Sequence, residues 1–122
     1  GLVHLLASAC VRPLIEARAA QVSPALRRDL WREPYCPACG DGPAVSEIDD
    51  EGRRHFLCAS CSTSWQGYRV KCPFCGTRDH EQLHYFTVEE DPGVRVDCCR
   101  ACKCYLKTLD RREGVVAEDL WV

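Results

Sequence analysis

The chain has 122 residues, a formal net charge of −2 and 11 cysteines. That length suits one ordinary domain or two very small ones. No apolar run reaches the ~18 residues of a membrane span, and no charged stretch leads into an apolar one as in a secretory signal. No membrane partner is expected, and the expected compartment is the cytoplasm.

Residues 1–34 hold five arginines against three acids, a balance of +2, and a single cysteine, Cys10. Leu2, Leu5, Leu6 and Ala9, then Leu14, Ile15 and Ala19, recur at helical spacing. Pro13 is expected to kink that helix or to begin a new one. Ser23-Pro24 reads as an N-cap followed by proline at the first helical position, opening a short helix through Leu30 or Trp31. The chain begins at Gly1 as if within a helix, which predicts a piece of a longer protein. The segment is too short to bury its own apolar stripe, so it is expected to pack on further helices or on the cysteine-rich part, with Cys10 in the packed face.

From Tyr35 the sequence turns to short strands, rich in aromatic and β-branched residues: Arg53–Leu57, Trp65–Val70, Leu83–Val88, Val94–Asp97 and Tyr105–Leu109. Asp50-Glu51-Gly52 and Asp91-Pro92-Gly93 are turn signals. Eight cysteines form four C-x-x-C pairs, Cys36/Cys39, Cys58/Cys61, Cys72/Cys75 and Cys99/Cys102. A disulfide framework has no reason to repeat a two-residue gap, whereas a tetrahedral metal site does, because each such turn aims two sulfurs at one centre. The pairs also repeat as units: CPACG then CASCSTSW, with 18 residues between Cys39 and Cys58, and CPFCG then CRACKCYL, with 23 between Cys75 and Cys99. The repeat favours two sequential sites, Cys36, Cys39, Cys58 and Cys61 in the first and Cys72, Cys75, Cys99 and Cys102 in the second, over an interleaved cross-brace. Gly40 and Gly76 follow each CP-x-C turn, where a positive φ is needed.

Two metal ions are thus expected. Four sulfurs suit zinc and iron alike. Cys98 and Cys104 lie outside the repeat and read as small apolar strand residues, or as auxiliary thiols beside the second site. CPFC also has the form of a redox pair, but no amphipathic helix follows it to lower a thiol pKa. His55, His80 and His84 are surplus to eight cysteines and read as strand or surface residues; Trp31, Trp65 and Trp121 read as packing residues. No catalytic set stands out, so no enzyme is expected. Residues 35–122 hold 11 Lys and Arg against 15 Asp and Glu, a balance of −4. Arg53-Arg54 and Arg111-Arg112 make no basic stripe, which disfavours nucleic acid; a zinc-ribbon nucleic-acid-binding or transcription-type module is the alternative function. The expected fold class is α+β: a helical segment over 1–34, two tandem small β modules of rubredoxin or zinc-ribbon type over 35–70 and 71–110, each around a four-cysteine metal site, and a tail over 111–122.

YCPACGDGP, RRHFLCASCSTSW, YRVKCPFCG, LHYF, C-x-x-C-x-x-YLK and the AEDL tail, in this order, resemble the formate dehydrogenase accessory protein FdhE family. The W-x-x-x-R-x-x-C-P-x-C-G stretch from Trp65 to Gly76 is the most specific part. The resemblance implies that residues 1–34 end an N-terminal helical domain and that tandem rubredoxin-like modules follow. It further implies a cytoplasmic, non-enzymatic factor that binds the catalytic subunit of a molybdenum- or tungsten-containing formate dehydrogenase and supports its maturation. It implies iron rather than zinc on the eight paired cysteines; Cys98 and Cys104 fall outside the family's pattern.

Overall fold

The computed structural model describes residues 1–113. A 21-residue helix, α1 (Leu2–Val22), runs through Pro13, so no new helix begins there. The helix from Ser23 to Leu30 or Trp31 is absent as well: one 3-10 turn, Ser23–Ala25, gives way to extended backbone at Leu26. The segment is drawn onto the sheet instead. Trp65 Nε1 donates to Glu33 O at 3.0 Å, Trp31 Nε1 to Tyr35 O at 2.8 Å, and Arg28 Nη1 to Ser64 O at 3.4 Å. A further helical turn would have to give up these tertiary bonds.

Six strands follow: β1 (Pro43–Ile48), β2 (Arg54–Cys58), β3 (Ser64–Gly67), β4 (Leu83–Val88), β5 (Asp91–Cys99) and β6 (Tyr105–Asp110). β1–β3 and β4–β6 are each an antiparallel meander, one per cysteine unit. The two are not separate sheets. β1 pairs in parallel with β6, Val45 opposite Lys107 through Ile48 opposite Asp110. The result is one six-stranded sheet in the order β3-β2-β1-β6-β5-β4. The turn expected at Asp91-Pro92-Gly93 falls two residues earlier, at Glu89-Glu90. Asp91 is already paired with Val88, after a register shift that absorbs the proline at the sheet edge.

Pairing register sets the faces, since opposite residues share a side and neighbours alternate. Phe56 opposes both Ser46 and Trp65, and Leu106 opposes Asp97. The core gathers Phe56, Trp65 and Leu106 with Cys36, Cys58, Cys61 and Ala19 of α1; Ile15, Trp31 and Ala38 pack on it. The second half of α1 therefore sits on the first cysteine unit. Its first half does not: Leu2, Val3, Leu5 and Leu6 are exposed, and so is Cys10, which is not a packed residue. Phe56 lies flat over β3 because residue 67 is glycine, where an added Cβ would collide with the Phe56 ring. The second unit is thinner than its sequence suggests. Phe74, Tyr85 and Val88 are exposed, leaving Leu106 and Leu109 as the buried aliphatic side chains of its strands.

Where the two meanders join, the interior is polar. Arg54, its side chain 5% exposed, reaches Asp97 Oδ2 at 2.6 Å across the sheet. It also donates to Ser46 Oγ at 3.0 Å, Thr108 Oγ1 at 3.2 Å and Arg69 O at 3.3 Å. Thr108 donates to Asp97 at 2.5 Å, and Ser46 and Thr108 hydroxyls are 2.6 Å apart. This network links β1, β2, β5 and β6. Of the Arg53-Arg54 pair, Arg53 alone is exposed.

Candidate metal centres

Each C-x-x-C pair sits on the same local turn. The first cysteine's N–H donates to the carbonyl five residues on: Cys36 to Asp41 at 2.8 Å, Cys58 to Thr63 at 2.9 Å, Cys72 to Thr77 at 2.9 Å and Cys99 to Cys104 at 3.0 Å. The residue four after that cysteine takes a positive φ in every case: Gly40 at 81°, Ser62 at 62°, Gly76 at 78° and Lys103 at 63°. That bend folds amides back onto sulfur. Ala38 N donates to Cys36 Sγ, Ser60 N to Cys58 Sγ and Phe74 N to Cys72 Sγ, each at 3.4 Å. Such donors offset thiolate charge. Asp41 braces the first site from outside, its carboxylate held by a short hydrogen bond from the Ser60 hydroxyl, which keeps its pKa below the usual range.

The turns bring the sulfurs together in two groups. Cys36, Cys39, Cys58 and Cys61 form one and Cys72, Cys75, Cys99 and Cys102 the other, the sulfurs of each within 4.8 Å of one another. Across the first group Cys36 and Cys61 sulfurs are 3.5 Å apart and those of Cys39 and Cys58 3.4 Å. Across the second the Cys72–Cys102 and Cys75–Cys99 separations are 3.6 and 3.7 Å. A disulfide would need about 2.0 Å. Four sulfurs each about 2.3 Å from one ion lie about 3.8 Å apart at tetrahedral corners, so both groups fit a single metal ion with little adjustment. No histidine belongs to either group among the described residues.

Without a cation the thiols pull against one another. Burial pushes the Cys72 thiol up to about 12 and the Cys58 thiol upward too. Burial also acts against Cys61 and Cys99. At Cys61 hydrogen bonding to Thr63 outweighs it; at Cys99 the Cys102 amide and the Cys75 sulfur do. Both come down to about 7. Each group therefore mixes a thiol that ionises readily with one that resists, as expected where four anions are crowded and only a cation lets all ionise. Cys39 and Cys75, the second cysteines of the CP-x-C turns, are exposed, so each centre has one solvent-facing corner.

Cys98 and Cys104 have separate places. Cys98 precedes Cys99 on β5, so strand alternation turns its sulfur to the opposite face. Cys104 supplies its backbone carbonyl to the turn, in the position that Asp41, Thr63 and Thr77 hold elsewhere. Neither sulfur is within the four-sulfur groups. Cys98→Ser and Cys104→Ser are each expected to retain two metals per chain, whereas Cys99→Ser and Cys102→Ser lose or weaken the second alone. Elemental analysis of the four purified variants checks this; loss of metal from Cys104→Ser with retention in Cys102→Ser would contradict it.

His55 pairs with Asp49 at 3.0 Å, and the His84 ring meets Phe86 edge-on, centroids 5.4 Å apart. Trp121 and the AEDL stretch lie outside the described residues, as does all of the 111–122 tail beyond the turn Arg111–Glu113.

Comparison with known proteins converges on one family. Residues 35–69 match the family model described as FdhE, central domain. The chain is 34% identical over 115 residues to the protein FdhE homolog of Aquifex aeolicus, a match covering 90% of this chain and 40% of that protein. It is 35% identical over 114 residues to protein FdhE of Salmonella arizonae, covering 85% and 36%. The chain thus spans well under half the length of these relatives. The crystal structure of the FdhE protein from Pseudomonas aeruginosa superposes with a TM-score of 0.61 at 31% identity, over 68% of this chain and 30% of that one. With the α+β fold and its two four-cysteine modules in place, the chain belongs to the FdhE family.

Proposed function

We propose that this chain is the metal-holding part of an accessory protein for formate dehydrogenase. It binds the enzyme's catalytic subunit in the cytoplasm and supports that subunit's maturation, without catalysing a reaction of its own. The reading is supported by family membership together with one observation, a pair of preformed four-sulfur groups set in a single sheet. Cys36, Cys39, Cys58 and Cys61 hold one ion and Cys72, Cys75, Cys99 and Cys102 the other, iron by the family resemblance, with zinc meeting the same donor set. A bound ion would tie the turn before each meander's first strand to the turn between its second and third strands, and iron would add a one-electron couple. Four protein sulfurs leave no open coordination position for substrate, which fits a scaffold better than a catalyst. Consistent with a cytoplasmic partner, no helix among the described residues is long and apolar enough to cross a membrane.

Affinity capture from cell extract tests the reading, with the full-length protein as bait and mass spectrometry and nucleic-acid staining as readouts. Recovery of the formate dehydrogenase catalytic subunit, lost when Cys36 and Cys72 are replaced by serine, is the expected result. Recovery of RNA or DNA in its place would overturn it in favour of a zinc-ribbon nucleic-acid module.

A further inference from the structure

A cavity of about 340 Å³ opens where the two meanders meet, with walls from both. Its charge is unlike that of the chain. Arg54, Arg69, Lys71, Arg95 and Arg112 line it, against Asp97. Arg54 and Arg95 share Asp97, at 2.6 and 3.2 Å, and Arg112 is held by Asp110 at 2.5 Å. Five cations against those two carboxylates leave +3, in a chain whose total is −2. Arg69 and Lys71, on the bend from β3 to Cys72, have no carboxylate partner among the described residues. Arg95 Nε, although 3.2 Å from Asp97, makes no hydrogen bond and is shut off from solvent. Buried polar atoms without partners are uncommon in a finished interior.

These cations are not simply the surroundings that a four-thiolate centre requires. The cavity beside the first centre carries only Arg28 and Glu16 as charged lining. A divalent ion on four thiolates at the second centre leaves −2, which offsets two of the three positive charges and gives Arg95 Nε no acceptor. The wall also includes Tyr85, with the Arg95 guanidinium 4.6 Å from its ring centroid, Phe74 and Leu83, beside His80 and Cys72 and Cys99 of the second centre. The volume lies within the range of small-molecule sites, which are mostly apolar with a few convergent polar groups.

We propose that this cavity binds a phosphate-bearing small molecule with a planar body, of the nucleoside phosphate class. Arginine forks and a lysine match phosphate oxygens. Arg69 and Lys71, the two lining cations without a carboxylate partner among the described residues, favour a group with several anionic oxygens over a single carboxylate. The Tyr85 and Phe74 side chains offer the planar part an apolar wall. The proposal rests on the cavity alone and does not depend on the client proposed above.

The test is a set of amide-shift NMR titrations of the metal-loaded protein with adenosine diphosphate, inorganic pyrophosphate and adenosine in turn. Adenosine diphosphate is expected to saturate shifts at Arg69, Lys71, Tyr85 and Arg95, pyrophosphate to do so more weakly, and adenosine least. The double variant Arg69→Gln/Lys71→Gln, whose side chains make no hydrogen bond or salt bridge among the described residues and pack only at Gly52, Gly76 and Tyr68, keeps both metals and weakens adenosine diphosphate binding by at least about tenfold. Arg95→Lys, which keeps the charge but not the fork, weakens it as well. No saturable shift at millimolar adenosine diphosphate or pyrophosphate, adenosine binding as tightly as its diphosphate, or full affinity in the double variant would each overturn the proposal.

Discussion

Removing both metals under reducing conditions is expected to unfold residues 35–110, with loss of dispersed strand amide signals by NMR. The buried apolar side chains of β1–β6 are few: Ile48, Phe56, Trp65, Leu106 and Leu109, the rest of the interior being cysteines and the polar seam. Structural four-sulfur sites contribute on the order of 10 kcal/mol each, comparable to the whole net stability of an ordinary domain, about 5–15 kcal/mol. The second meander is the more dependent one, because Phe74, Tyr85 and Val88 leave the interior to the sulfurs and two leucines. Partial chelation is therefore expected to broaden β4–β6 signals before those of β1–β3, where Phe56 and Trp65 stack at 5.6 Å under α1. Acid acts the same way: protons compete with metal for thiolates, so falling pH releases metal and structure together. A metal-free chain that keeps its strand dispersion would refute this.

Arg54→Ala is expected to destabilise the metal-loaded chain by about 3–5 kcal/mol, because it strands Asp97 inside the sheet without its closest cation. Burial pushes the Arg54 pKa down from its ordinary value while Asp97 pulls it up; a guanidinium stays charged in either case, so the partner cannot be dispensed with by proton loss. The double variant Arg54→Leu/Asp97→Leu, which removes both charges, is expected to recover part of the loss, since Arg95 then loses its Asp97 partner. Denaturant unfolding at fixed metal concentration measures both. A single-variant loss under about 1 kcal/mol, or a double variant no better than the single, would show that the pair does not hold the seam.

These two predictions rest on different degrees of legibility in the sequence. The grouping of sulfurs was readable because its causes are local: a two-residue gap, a proline, a glycine and a repeated unit. Even so, only half of the turn signals were visible. Ser62 and Lys103 take the same left-handed conformation as Gly40 and Gly76, and composition gives no hint of it. The available signal was register, since each lies four residues after the first cysteine of its pair. The same counting assigns Cys104 its backbone role. The seam was not readable. It depends on β1 meeting β6 some 60 residues away (62 from Ser46 to Thr108), and PAVSEI shows too mixed a pattern to announce a strand with both edges paired. Arg54 looked like surface charge because its partner, Asp97, sits in the other unit. In α1 no new helix starts at Pro13, while contacts of Trp31 and Trp65 take the place of the short helix that local signals favour after Ser23.

Metal content measured together with X-ray absorption, on protein purified without added metal, is the most direct test of the two-centre reading. The expected result is two ions per chain, each with four sulfur neighbours at about 2.3 Å. One ion per chain, or nitrogen or oxygen in either first coordination sphere, would contradict it.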